Sequence, residues 1–504
     1  MNASSLSIAL PSVRAAQSLD SCRIYVLDPA RDLGMPGCDF EDPKIWPFNR
    51  DDSKLEASGA LLHNQYQHAV QHWIAKAVED SPYAARSLEE AQLVFVNLHC
   101  YATWHVGKWW EQKVGPSSAE TSASPANESA SEEAGASGSG AEEAGASGAA
   151  SDNSDEAEGV EPEAPPPPPP PASGPLPSHE QRGHPDELTM RAMGLIREME
   201  FYKASNGTRL AVAPFWPGYP AAMMRQLRPC DREPYVLTSE HAMFCPGRAS
   251  SALLNRGQLI PHVASKHLEL DRPYPGRDIF LFYRGSCSPM GEIRLNRSSG
   301  KMMRSYFMAG LPEPLPADVD AGCSCGMCET ALAHDEAMAR MRRSVFCPVM
   351  AGDTQSSRRL AEVVLAGCIP VFVGPPYHTL SMPLDVDYAS IGIFVDVAHR
   401  PWIIQDKKGQ RKSKSNSPRM MYIWALDAAL APGTMQRIGK IDELHGFLRN
   451  LPASVLRAKQ AALEREKYKL YYDAPPGKDR SVLGEIVVRH MCEYAQTLEP
   501  RAAV

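Results

Sequence analysis

Short apolar runs alternate along the chain with polar, loop-forming residues, and the spacing within each run sets the element it predicts. Cys22 to Asp28, CRIYVLD, is a compact apolar run ending in Asp-Pro, which predicts a buried strand feeding a loop. Helical spacing near Leu61 to Val78 predicts a helix, and Ala91 to Leu98, AQLVFVNL, predicts the next strand. Farther on come a predicted helix around Glu187 to Phe201 and short strands at Leu210 to Phe215 and Tyr235 to Thr238. Strands alternating with helices predict a parallel sheet covered on both faces. The second half repeats the alternation, beginning with Asp278 to Tyr283, DIFLFY, a strand that runs straight into Arg284 and Gly285. The segment SVFCPVMAGDTQSSRRLAEVVLAGCIPVFVG parses as a strand Ser344 to Met350, a loop Ala351 to Gln355 and a helix Ser356 to Ala366. Leu360, Val363 and Val364 share one helix face, Gly367 is placed to cap the helix, and Ile369 to Val373 is the returning strand.

A chain of 504 residues exceeds one hydrophobic core and leaves room for two domains. One stretch is of a different kind. From Val114 to Gln181 there is no Lys or Arg but 13 Asp and Glu among Ser, Ala and Gly, ending in seven prolines, Pro165 to Pro171. Such a stretch cannot bury enough apolar surface to fold and is expected to be a disordered acidic insertion with a stiff proline-rich end. With those 13 acids set aside, the 52 basic residues face 47 acidic ones, a balance of +5 that suits an anionic ligand. The basic stripes with interleaved aromatics that nucleic-acid binding requires are absent, so no nucleic-acid partner is expected.

Cys323, Cys325 and Cys328 lie close together in CSCGMC, within a total of twelve cysteines. Three thiols at that spacing could hold zinc, but no second CxxC or His pair lies nearby to complete the site, which leaves disulfides in an oxidising lumen as the other reading. Asn127, Asn206 and Asn296 each open an Asn-x-Ser/Thr sequon, in keeping with a lumen. No segment is apolar over the roughly 18 to 20 residues that a membrane helix needs, and the apolar patch in MNASSLSIALPSVRAAQ has no basic region before it. Membrane association is therefore expected only through an anchor that this sequence does not display.

The chemistry concentrates where the 351–355 loop meets its helix, because free N–H groups and the positive end of the helix attract anions. Thr354, Ser356 and Ser357 add hydroxyls, and Arg358 and Arg359 add charge. Arg284, at a strand's C-terminal end, could pair with a phosphate while Gly285 lets the backbone approach; the other reading is an exposed Arg before a turn glycine. Asp353 and Glu362 could accept from ribose or sugar hydroxyls. Equally, Glu362 stands four residues after Arg358 and could form a surface ion pair with it, and Ser356 could be a helix N-cap.

The segment FCPVMAGDTQSSRRLAEVVLAGCIPVFVG resembles the exostosin-like glycosyltransferases of family 47, in its Cys, Gly-Asp-Thr, Ser-Ser-Arg-Arg-Leu and Gly-Cys-Ile-Pro-Val run. DVDYASIGIFVDV at Asp385 to Val397, FLFYRG at Phe280 to Gly285, Arg294, and SLEEAQLVFVNLHCY at Ser87 to Tyr101 extend the likeness, which suits the plant and algal type. The resemblance implies a GT-B fold of two Rossmann-like domains facing a cleft. It implies boundaries of 1–21 for a disordered N-terminal segment, 22–113 and 186–265 for an acceptor domain split by the 114–185 insertion, 266–475 for a nucleotide-sugar domain and 476–504 for a helical end. It further implies an inverting transfer from a nucleotide diphosphate sugar to a glycan or glycoprotein, as in cell-wall polysaccharide synthesis or protein glycosylation, in the Golgi lumen or membrane, with possible homo- or hetero-oligomers. Another reading is a carbohydrate-binding scaffold that kept the fold and lost turnover. The implied donor-binding residues are Arg284, Gly285, Gly352, Asp353, Thr354, Ser356, Ser357, Arg358, Arg359 and Glu362. No obligatory metal or cofactor is implied; Asp385 and Asp387 form DVD, but only after the following strand. The catalytic base is unassigned: APFWPGYPAAMM stands where the family often has Gly-Arg-Asp-His, and His99 and Glu240, near predicted strand ends, are more ordinary as surface or capping residues. Ala351 replaces a common Pro, which should loosen the loop without removing its anion-binding groups.

Overall fold

The β-branched and aromatic runs form strands because they pack well on a pleated surface buried from both sides. The computed structural model describes residues 19–35, 70–98, 185–213, 234–239, 257–265, 268, 270, 276–287, 299–323, 332–352, 356–375, 377–401 and 434–498. All of them belong to one compact unit drawn from Met1–Trp110 and Leu176–Val504.

The first sheet holds β1 (Ile24–Leu27), β2 (Leu93–Val96), β3 (Leu210–Val212), β4 (Tyr235–Thr238) and β5 (Gly257–Leu259), all parallel and in sequence order. Its helices include α1 (Pro29–Leu33), α2 (Val70–Glu79), α3 (Pro185–Glu198) and α4 (Glu200–Ser205). The period of two sorts the strand residues onto two faces. Val94, Val96, Leu210, Val212 and Val236 pack with Leu188, Met193 and Ile196 of α3. Ile24, Val26, Leu93, Phe95, Ala211 and Leu237 point the other way, into a core that takes in Ile74 and Val78 of α2.

The second sheet is built from β6 (Ile279–Gly285), β7 (Val319–Cys323), β8 (Ser344–Val349), β9 (Ile369–Gly374), β10 (Ile393–Val397) and β11 (Met435–Ile438). Its spatial order is β11-β10-β9-β8-β6-β7, all parallel. The connecting helices are α5 (Ser299–Ala309), α6 (His334–Arg342), α7 (Arg359–Leu365), α8 (Tyr388–Ile391), α9 (Glu443–Arg449) and α10 (Ala453–Glu466). Chain direction reverses at β6: the path goes from β6 outward to β7, then back across to β8 and on to β11. This makes the gap between β6 and β8 the topological switch point. Two parallel sheets with their helices fit a two-domain, Rossmann-like α/β arrangement.

The last helix, α11 (Val482–Gln496), returns to the first sheet. Cys492 on it is disulfide-bonded to Cys22, 470 positions away, and the Tyr494 hydroxyl donates to Thr208 O at 2.8 Å. Arg489 and His490 reach Asp385 at 2.9 and 3.0 Å. Asp387 caps α8, its carboxylate accepting from Ser390 N at 3.2 Å. Both acids of the DVD sequence thus have structural partners.

Several elements differ from expectation. The helix of the Ser344–Gly374 unit, α7, begins at Arg359, not Ser356, and ends as expected beneath Gly367, whose φ of 66° lets its N–H reach Val364 O at 3.0 Å. Leu19–Ser21, expected to be unstructured, form one 3₁₀ turn just before β1.

Candidate functional site

Parallel α/β sheets bind ligands beyond the C-terminal ends of their strands at the switch point. Here those ends are Arg284-Gly285 of β6 and the Met350-Ala351-Gly352 exit of β8. Arg304 of α5 braces them, its Nε donating to Ser286 O and its Nη1 to Ala351 O, both at 2.8 Å. At 8% exposure this guanidinium is enclosed.

Gly352 makes the β8 exit tight. A Cβ there would lie 2.3 Å from Ser356 O and 3.2 Å from Ser357 Cβ, so no side chain fits without moving backbone. Asp353 and Thr354 lie outside the described residues. Two histidines fix the serines that follow. His262, from beyond β5 of the first sheet, places Nε2 2.9 Å from the buried Ser356 Oγ. Ser356 is three residues before α7, and its hydroxyl meets this imidazole, so it does not cap the helix. His378 accepts from Ser357 N at 2.8 Å through Nε2, while its Nδ1 donates to Thr379 O at 2.6 Å. These partners define the neutral tautomer, and burial pushes the imidazole down to about 4.

The arginines are placed differently from one another. Arg358 Nε lies 2.6 Å from Glu362 Oε1, with side-chain exposures of 15% and 6%. The i,i+4 pair therefore forms, but shielded from water and not on the surface. Arg359 turns inward: Nε donates to Pro348 O at 3.1 Å, Nη1 to Arg284 O at 2.5 Å, and the guanidinium stands 4.6 Å from the Tyr283 ring centroid. Nη2 is buried and has no hydrogen-bond partner among the described residues. Burial, the largest influence, holds the Arg359 guanidinium below its ordinary value.

Arg284 is not an exposed arginine. Its side chain is 9% accessible, and Nη2 pairs at 2.5 Å with Asp320, which also takes Arg340 Nη1 at 2.9 Å. Burial lowers its pKa, against the opposing pull of Asp320. Gly285 has a packing reason: a Cβ there would fall 2.2 Å from the Tyr283 hydroxyl. The space at this glycine is therefore already filled by its own strand neighbour.

The structure thus gathers Arg284, Gly285, Gly352, Ser356, Ser357, Arg358, Arg359 and Glu362 at or beside the strand ends around the switch point. Arg304, His262 and His378 join them without any sequence signal, because each comes from an element distant in the chain. Cys323 is disulfide-bonded to Cys287, and Cys347 to Cys368, across the strands that carry the site. Cys325, Cys328, His99 and Glu240 lie outside the described residues. Among the described residues no group of three His, Cys, Asp or Glu could hold a metal ion, and no helix is long and apolar enough to cross a membrane.

No curated protein matches this chain. The segment that forms β5 through β10, and with it every gathered residue above, lies within residues 250–405, which match the family model of the Exostosin GT47 domain. Residues 250–405 thus carry an Exostosin GT47 domain, a match that supports assignment to the exostosin-like GT47 glycosyltransferase family.

Proposed function

We propose that the chain is an inverting glycosyltransferase that moves a sugar from a nucleoside diphosphate donor to a glycan hydroxyl. In this reading the donor's diphosphate sits at the β6–β8 switch point, and the two sheets are the halves of a GT-B cleft with the acceptor on the first. Arg359 carries the reading. A buried cationic N–H without an acceptor is costly, and a diphosphate oxygen would supply both the hydrogen bond and the opposite charge. The carbonyls of Arg284 and Pro348 hold the guanidinium in place before any ligand arrives. Such preorganised donors stabilise most where charge grows, here on the diphosphate as its bond to the anomeric carbon breaks.

Inversion follows from direct displacement. The acceptor oxygen attacks the anomeric carbon opposite the leaving diphosphate while a base takes the hydroxyl proton. No metal is required in this scheme. The disulfides Cys22–Cys492, Cys287–Cys323 and Cys347–Cys368 agree with an oxidising lumen such as the Golgi's.

Calorimetric titration of the full chain with UDP, GDP, CDP and ADP tests the reading. One nucleotide should bind with micromolar Kd, weakened at least tenfold in Arg359→Lys, whose ammonium keeps the charge but not the guanidinium fork. A wild type that is folded by near-UV circular dichroism and binds none of the four would overturn it.

A further inference from the structure

A second cavity, which the transfer reaction does not use, opens between α2, α11 and the 472–482 turn. Its volume is about 430 Å³, enough for a small ligand. It belongs to the starting edge of the first sheet. Leu19 and Tyr83 line it, and both hold the beginning of β1: Leu19 O accepts from Cys22 N at 2.9 Å and Tyr83 O from Ile24 N at 2.8 Å. The switch point lies at the finishing ends of the second sheet's strands, and the two places share none of the residues named for them.

The lining combines aromatic and charged residues. Trp73 and Tyr83 are half-buried aromatics, and Tyr472 is buried with its hydroxyl donating to Pro261 O at 2.7 Å. Asp479, Arg480 and Glu485 are exposed, and their side chains make no hydrogen bond or ion pair among the described residues. Other charges of the wall are already matched: Lys76 pairs with Asp80 at 2.5 Å and Arg489 with Asp385 at 2.9 Å. Aromatic faces offer an apolar surface for the C–H side of a sugar ring. Free carboxylates accept from its hydroxyls, and a guanidinium donates to them. A strongly charged ligand would meet rim groups of both signs, whereas a neutral polyhydroxylated one is served by both.

We propose that this cavity is a second carbohydrate site, which takes a neutral pyranose segment of the glycan acceptor remote from the reacting end. The choice of ligand rests on the transferase reading above. Holding a long acceptor at two places raises its effective concentration at the reacting site without new contacts there.

The test is saturation-transfer NMR and calorimetry on the full chain with the neutral hexaoses of glucose, xylose, mannose and galactose, each with and without UDP. At least one hexaose should bind wild type, with affinity reduced at least tenfold in Trp73→Ala and separately in the doubly substituted Asp479→Ala/Glu485→Ala. The second variant alters only exposed side chains and decides the matter if the first is poorly folded. UDP binding should be unchanged in both. The site is refuted if no hexaose binds folded wild type, or if binding survives in the doubly substituted chain. A wild type that binds hexaose at this cavity but no nucleotide would keep the site and remove the transferase reading.

Discussion

Arg358 and Glu362 allow one structural reading to be measured. The Glu362 carboxylate, 6% accessible, lies 2.6 Å from Arg358 Nε on the same helical face. Removing one partner of a shielded pair leaves a charge that water cannot reach, at about 3–5 kcal/mol. The 15% exposure of Arg358 puts Arg358→Ala near the lower end, about 3 kcal/mol. Glu362→Gln leaves a guanidinium that can turn toward solvent, so its cost should be smaller, about 1–2 kcal/mol. Additive behaviour would make Arg358→Ala/Glu362→Gln lose about 4–5 kcal/mol, whereas a coupling of about 2 kcal/mol predicts only about 2–3. Urea unfolding at pH 7, followed by tryptophan fluorescence, gives all four corners of the cycle. Additivity to within about 0.5 kcal/mol would show that the pair is not shielded and refute the reasoning. The same proteins titrated with nucleotide then assign the arginine: an unchanged Kd in the double variant makes Arg358 a partner of Glu362 alone, and a tenfold loss gives it a second contact with the donor.

Further outcomes follow from other contacts. His262→Ala removes the imidazole that holds Ser356 Oγ, and a lost hydrogen bond of about 1 kcal/mol should raise the KM for nucleotide sugar about fivefold; an unchanged donor KM would exclude a positioning role. Cys22→Ala/Cys492→Ala opens a loop of 470 residues, for which the chain-entropy relation gives a ceiling of about 6 kcal/mol; a urea-derived loss under 1 kcal/mol would contradict it. His378 is neutral when folded, with its value held near 4 against an ordinary 6.5, so the unfolded chain binds the proton first as pH falls. Its contribution to stability is therefore whole above pH 6.5, declines between 6.5 and 4 and is lost below, by about 3 kcal/mol in all; His378→Gln should flatten that part of the stability–pH curve.

The strand and helix alternation was legible because it is local. Tyr235 to Thr238 forms a strand where predicted, and the Ser344–Gly374 unit differs mainly at the start of its helix. There, Ser356 and Ser357 are held by imidazoles from elsewhere in the chain, a competition that the sequence pattern does not display. β5, GQL, and β7, VDAGC, carry no apolar alternation of their own. They are strands because Gly257 falls in register with Val236 and Val319 with Leu281.

By itself the sequence determined the α/β class, the strand-loop-helix-strand unit and the concentration of arginines and serines around its loop, since periodicity, turn residues and charge spacing are properties of neighbouring positions. Only the tertiary structure decided the switch point between β6 and β8, the pairing of Cys22 with Cys492, the enclosure of Glu362 and the direction of each guanidinium. Arg359 turns inward because the Tyr283 ring and the carbonyls of Arg284 and Pro348 meet there. Sheet order brings those groups together from separate segments, and no local pattern encodes such a meeting.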